Sequence, residues 1–179
     1  WEHLEKKSRQ KILQTLPKGQ FNRTNDNVEW AWWTWNPVTG CLHDCPYCYA
    51  RDLANRYYTG YGFTPVFHPT RLHIPIHMTR PAEAVTHIGA KNVFVCSMAD
   101  LFGKWVPEEW IQAVIQACTD APQWNFLFLT KFPARLAHFT FPDNAWVGTS
   151  VDAQARVAAA EKAFRNVTAK VKWLSCEPL

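Results

Sequence analysis

From residue 92 onward the chain repeats one pattern: a short, largely apolar run, a few polar residues, then a helical stretch. The runs are Asn92-Val-Phe-Val-Cys96, Asn125-Phe-Leu-Phe-Leu129, Ala145-Trp-Val-Gly148 and Val171-Lys-Trp-Leu174. Strands apolar on both faces are covered on both faces, and their alternation with helices marks a parallel β/α array. A helix opening at Pro107-Glu108-Glu109 carries Trp110, Ile111, Val114, Ile115 and Cys118 on one face. Further helical stretches are expected around 133–138 and, rich in alanine, over 152–164.

Upstream, Glu29-Trp30-Ala31-Trp32-Trp33-Thr34-Trp35 is β-forming in type and runs into the turn Asn36-Pro37-Val38-Thr39-Gly40. Its tryptophans read as core and rim packing before they read as a stacking platform for bases. With this segment the array has about five parallel strands. A complete eight-stranded barrel takes roughly 250 residues, so 179 residues cannot close one. The expected class is α/β, a partial (β/α) barrel over 28–179, truncated after its fifth strand. Residues 1–27 read as an extension, with a polar helix over 2–16 and a loop or linker containing Pro17, Gly19 and an Asn/Asp-rich stretch.

The turn leads directly into Cys41-Leu-His-Asp-Cys45-Pro-Tyr-Cys48. The C-x3-C-x2-C spacing puts three soft thiolates on one loop, enough to hold three corners of a cubane iron–sulfur cluster and leave one iron without a protein ligand. The competing reading is zinc, which takes four ligands. His43 could supply the fourth, although ring closure between Cys41 and Cys45 would be cramped, and no second C-x2-C pair follows. After Pro46, a good first-turn residue, the stretch 47–58 is helical in pattern, with Tyr49, Leu53 and Tyr57 four apart. Gly60 and Gly62 follow it.

Cys96, Cys118 and Cys176 stand singly in apolar segments, as free thiols do, which fits a reducing cytoplasm. No segment approaches the ~20 apolar residues of a membrane helix, and no secretory h-region opens the chain. A formal charge of +4 permits a nucleic-acid or phosphate-bearing partner without requiring one. Residues 63–81 form an irregular connection with a short helix near 71–78. His68, His73, His77 and His87 match no compact ligand spacing.

In β/α folds the working residues lie after the C-terminal ends of the strands. Here those residues are the three cysteines, then Ser97 and Asp100, Thr130 and Lys131, Thr149, Ser150 and Asp152, and finally Ser175 and Glu177. Lys131 and Glu177 are the candidate catalytic groups. Asp152 either faces the cavity or caps the following helix, and Ser97 and Ser150 either face it or satisfy loop backbone.

The motif order resembles a known family. Thr34-Trp35-Asn36-Pro37-Val38-Thr39-Gly40-Cys41 with Cys45, Cys48-Tyr49-Ala50, then Val93-Phe-Val-Cys-Ser97-Met98-Ala99-Asp100-Leu101-Phe102, Leu129-Thr130-Lys131-Phe132-Pro133, Trp146-Val147-Gly148-Thr149-Ser150-Val151 and Leu174-Ser175-Cys176-Glu177-Pro178-Leu179 are similar to phage- and bacteria-associated three-Cys-motif, radical S-adenosylmethionine (radical SAM)-like proteins. The resemblance spans 28–179. It implies a [4Fe–4S] cluster on Cys41, Cys45 and Cys48, with SAM chelated by the open iron and cleaved to methionine and a 5′-deoxyadenosyl radical. It implies Tyr47 beside the adenine; Ser97, Asp100, Thr149 and Ser150 are expected as cofactor contacts from their positions after the strand ends. It also implies a flavodoxin- or ferredoxin-like electron donor, and raises nucleic acid or a protein as a partner. Two departures stand out: Ser97-Met98-Ala99-Asp100 occupies the place of the family's Gly-Gly-Glu segment, and a later Gly-Gly-Glu-Ser-Gly-like strand is absent. The alternative is a non-catalytic zinc or iron–sulfur module that binds nucleic acid or a partner protein.

Overall fold

The computed structural model describes residues 19–25, 28–57 and 62–176. The expected helix over 2–16 and the candidate Glu177 lie outside the described residues. Among the described residues there are eight strands: β1 (Asn22–Arg23), β2 (Trp33–Trp35), β3 (Val38–Thr39), β4 (Val66–Phe67), β5 (Asn92–Val95), β6 (Asn125–Thr130), β7 (Ala145–Ser150) and β8 (Val171–Ser175). The described α-helices are α1 (Tyr49–Tyr57), α2 (Ile74–His77), α3 (Glu108–Thr119) and α4 (Val157–Phe164).

Six strands form one sheet in the order β1-β2-β5-β6-β7-β8. β2, β5, β6, β7 and β8 are mutually parallel, and β1 adds antiparallel at one edge. The parallel array of five strands is therefore present in a mixed α/β fold. Among the described residues the sheet is open, with β1 and β8 as its edges, and it does not close into a barrel. β3 and β4 pair separately, antiparallel, and β3 delivers the chain into the cysteine loop.

Alternation across the pleat divides the sheet between two tasks. One face presents Trp35, Val93, Val95, Phe126, Phe128, Ala145 and Val147, all buried in a core completed by Ile111, Val114 and Cys118 of α3. Burying each large side chain contributes roughly 1.5–3 kcal/mol. The opposite face presents Phe94, Leu129 and Ser150 to a pocket at the strand ends. The periodicity of α3 is as the sequence predicts, and Trp110 stacks on Phe67 with ring centroids 5.2 Å apart.

Two local expectations need correction, the extent of the Trp-rich strand and the start of the last helix. The Trp-rich strand is only Trp33–Trp35, because Glu29 and Trp30 form a turn and the Trp32 amide donates to Gly89 O at 2.9 Å. Tyr49, Leu53 and Tyr57 of α1 are exposed, with Tyr49 lining the strand-end pocket and donating its hydroxyl to Ser97 O at 2.9 Å. The buried positions of α1 are Ala50 and Ala54, small enough for close approach of the helix. Residues 133–138 are helical as expected, with 3-10 geometry. The last helix is α only from Val157, after a 3-10 turn at Gln154–Arg156. No described helix is long and apolar enough to cross a membrane.

Gly40 sets the exit from β3. It has φ +89°, and its amide donates to Met98 O at 2.8 Å. A Cβ there would lie 2.1 Å from the Thr64 carbonyl oxygen, a backbone atom that cannot swing aside. Gly40→Ala is expected to cost roughly 2–4 kcal/mol, combining left-handed strain with the clash. The check is urea unfolding; unchanged stability would show that the cysteine loop does not need this backbone geometry.

Candidate metal and cofactor site

The parallel strands end on one rim, and the cysteine loop folds over it. A pocket of about 190 Å³ lies between them. Cys41, Cys45 and Cys48 line it together with Tyr47, Ser97, Asp100, Lys131 and Ser150. Eight of the ten predicted site residues thus share one cavity. Thr149 does not join them: its hydroxyl donates to Thr130 O at 2.7 Å inside the sheet. The remaining one, Glu177, is the residue already placed outside the described segments.

The loop is shaped locally by Asp44, whose φ of +54° is tolerated by a short polar side chain. The Cys48 amide closes a turn on Cys45 O at 3.2 Å, and Arg51 donates to the same carbonyl at 2.7 Å. Arg51 also pairs with Asp44. All six cysteines are free thiols, and the three of the loop are each partly buried. Burial pushes the Cys41 thiol up to about 11.

His43, the residue that a zinc reading would recruit, is engaged elsewhere. Its Nε2 lies 2.6 Å from Asp100 Oδ2, and its ring packs against Phe132 and Trp105 at 4.7 and 5.0 Å between centroids. Asp100 also accepts the Phe102 amide on Oδ1 at 3.0 Å and the Lys131 amide on Oδ2 at 2.9 Å. A residue expected to contact cofactor therefore ties three segments together. Ser97 is similarly engaged: its Oγ accepts from Thr34 at 2.6 Å, and neighbouring Asn36 Oδ1 accepts the Met98 amide at 2.9 Å.

Lys131 points into the pocket, as its position after β6 predicts. Its ammonium donates to Asp152 Oδ2 at 2.6 Å and to the Tyr47 hydroxyl oxygen at 2.9 Å. Burial pulls this lysine down, but hydrogen bonds to Asp152 and Tyr47 outweigh it and hold it above its ordinary range. Asp152 is not a helix cap. Burial would raise its carboxyl, yet the hydrogen bonds from Lys131 and Tyr47 together with the Lys131 and Arg156 charges lower it to about 2. Burial first, then the Asp152 contact, raises the Tyr47 phenol.

Among the described residues, no three His, Cys, Asp or Glu side chains already stand grouped as a metal cage. The donor set nonetheless fits a three-thiolate group, since all three cysteines share one loop and one cavity while the intervening histidine is held by Asp100. Cys96 also lines this pocket from the sheet side, fully buried, with burial raising its thiol to about 12. His68 instead meets the Thr39 hydroxyl at 2.8 Å, and His87 packs on Trp32.

The sequence pattern did not identify the roles of His43, Asn36, Asp152 and Arg156. The one advance signal was the polar character of residues just beyond strand ends, which flagged Asp152 without naming its partners. No curated protein and no solved structure matches the chain. A family model described as "Protein of unknown function (DUF5131)" matches residues 25–179, a span that includes the whole sheet and the cysteine loop except for β1, and the chain belongs to that family.

Proposed function

We propose that this chain is a radical SAM-type iron–sulfur protein on a partial (β/α) barrel scaffold, with Cys41, Cys45 and Cys48 holding a [4Fe–4S] cluster that leaves one iron for SAM. The observation that supports this reading is the convergence of three thiols on one pocket while His43 is paired with Asp100. When bound and reduced, such a group supplies the electron that splits SAM into methionine and a 5′-deoxyadenosyl radical, which takes hydrogen from a substrate. The chain's own residues bind and orient. Tyr47 offers an aromatic face at the pocket mouth, Lys131 a fixed positive charge, and Ser150 a hydroxyl at the rim. The proposed setting is a reducing cytoplasm with a flavodoxin- or ferredoxin-like electron donor, in keeping with six free thiols.

One observation favours a second reading. Cys96 lines the same pocket, and a fourth sulfur is what a fully protein-ligated zinc or cluster site would need in a non-catalytic module that binds nucleic acid or a protein. The two readings separate cleanly. Anaerobically reconstituted protein is expected to carry about four iron and four sulfide per chain, and to release 5′-deoxyadenosine from SAM under reductant. Cys96→Ala is expected to retain both properties. Stoichiometric zinc in a colourless protein, or loss of the metal in Cys96→Ala, would establish the second reading and overturn the first.

A further inference from the structure

Between Gly40 and Tyr49 the chain has no regular secondary structure, yet it must present three thiols to one cavity. Its backbone hydrogen bonds are few: Cys41 N to Phe63 O at 2.9 Å, Cys48 N to Cys45 O at 3.2 Å and Asp52 N to Cys48 O at 3.3 Å; Arg51 also donates to Cys45 O at 2.7 Å. Side chains therefore have to hold it. His43 fastens its first half to Asp100. The second half is fastened through Tyr47, whose hydroxyl donates to Asp152 Oδ2, 105 positions away in sequence, and accepts from Lys131 Nζ at 2.9 Å.

We propose that Asp152 is a positioning residue for the cysteine loop, acting through Tyr47 and Lys131 rather than by touching cofactor or substrate. Its two oxygens divide the work. Oδ2 takes the Tyr47 hydroxyl and the Lys131 ammonium, the latter at 2.6 Å. Oδ1 accepts no hydrogen bond and is neutralised by the Arg156 guanidinium, whose Nε lies 2.5 Å away as an ion pair four residues on. The Asp152 side chain is only 8% exposed, so little water competes for it. Lys131 Nζ approaches Tyr47 from the hydroxyl end of the ring, so it holds the phenol through that oxygen. The loop and the segments after β6 and β7 thus meet at one carboxylate, through a tyrosine that lies between the second and third cysteines in sequence.

The test uses the full chain purified without added iron, so it is independent of the cluster reading. Amide exchange over 41–48 and alkylation rates of the individual thiols are compared in wild type, Asp152→Asn, Tyr47→Phe and Arg156→Gln. Tyr47→Phe removes only an oxygen from a half-exposed ring and threatens folding least. Asp152→Asn and Tyr47→Phe are each expected to raise loop exchange and the alkylation of Cys45 and Cys48 roughly tenfold, the signature of a local opening made easier. Cys96 and Cys118 are expected to stay protected in every variant, and Arg156→Gln to leave the loop unchanged. Loop exchange unchanged in Tyr47→Phe, or exchange raised across the sheet as much as in the loop, would overturn the proposal. Iron loading of the wild type, measured in parallel, reports separately on the cluster.

Discussion

Replacing any one of Cys41, Cys45 or Cys48 by serine is expected to remove the cluster: iron per chain falls from about four to below about one, and visible absorbance is lost. The reason is ligand count. A cubane held at three corners has no spare protein ligand, and a serine hydroxyl is a poor, hard donor for iron–sulfur chemistry. Folding should survive, because all three thiols lie in a loop and none belongs to the hydrophobic core. The melting temperature of the metal-free variants should therefore match that of the metal-free wild type. Serine variants that still bind a full complement of iron would show that the cluster sits elsewhere.

Asp100→Ala is expected to be the most destabilising single change at the site, by about 3–5 kcal/mol, the cost of stranding buried polar partners. The lost carboxylate leaves the Phe102 and Lys131 amides and the His43 ring without their acceptor. In a chain of this size each kcal/mol lowers Tm by roughly 2–4 °C, so a drop of about 6 °C or more is the expected reading. Asp100→Asn, which keeps one carbonyl oxygen for an amide, should lose roughly half as much. A wild-type melting curve for Asp100→Ala would mean that these three partners find other acceptors at no cost. Because His43 is one of them, the variant should also loosen the first half of the cysteine loop.

The proposed clamp at Asp152 and the observed one at Asp100 give the two halves of the loop separate anchors. Asp100 connects to the segments after β5 and β6, and Asp152 to those after β6 and β7. Lys131 takes part in both, through its backbone amide at Asp100 and its ammonium at Asp152. It was singled out from the sequence as a catalytic candidate because it follows a buried strand. The same position suits it for tying the loop to the sheet, and the two roles differ only in what the ammonium touches. Tyr47 was marked as an adenine neighbour by resemblance, and its hydroxyl turns out to be engaged with the sheet rim.

What the amino-acid order alone determined is local and periodic: four of the strands, the buried face of α3, the polar residues just past each strand, and three thiols on one short loop. These follow from repeating patterns of apolar side chains, which any neighbouring layer will bury. The tertiary structure decided the rest. It shortened the Trp-rich strand, packed α1 through Ala50 and Ala54, and left the sheet open among the described residues. It also chose partners: His43 for Asp100, and Asp152 for Tyr47, Lys131 and Arg156 rather than for a helix N-terminus. Such pairings join residues up to 105 positions apart. No local propensity encodes them, because they depend on which strand ends the parallel sheet sets side by side.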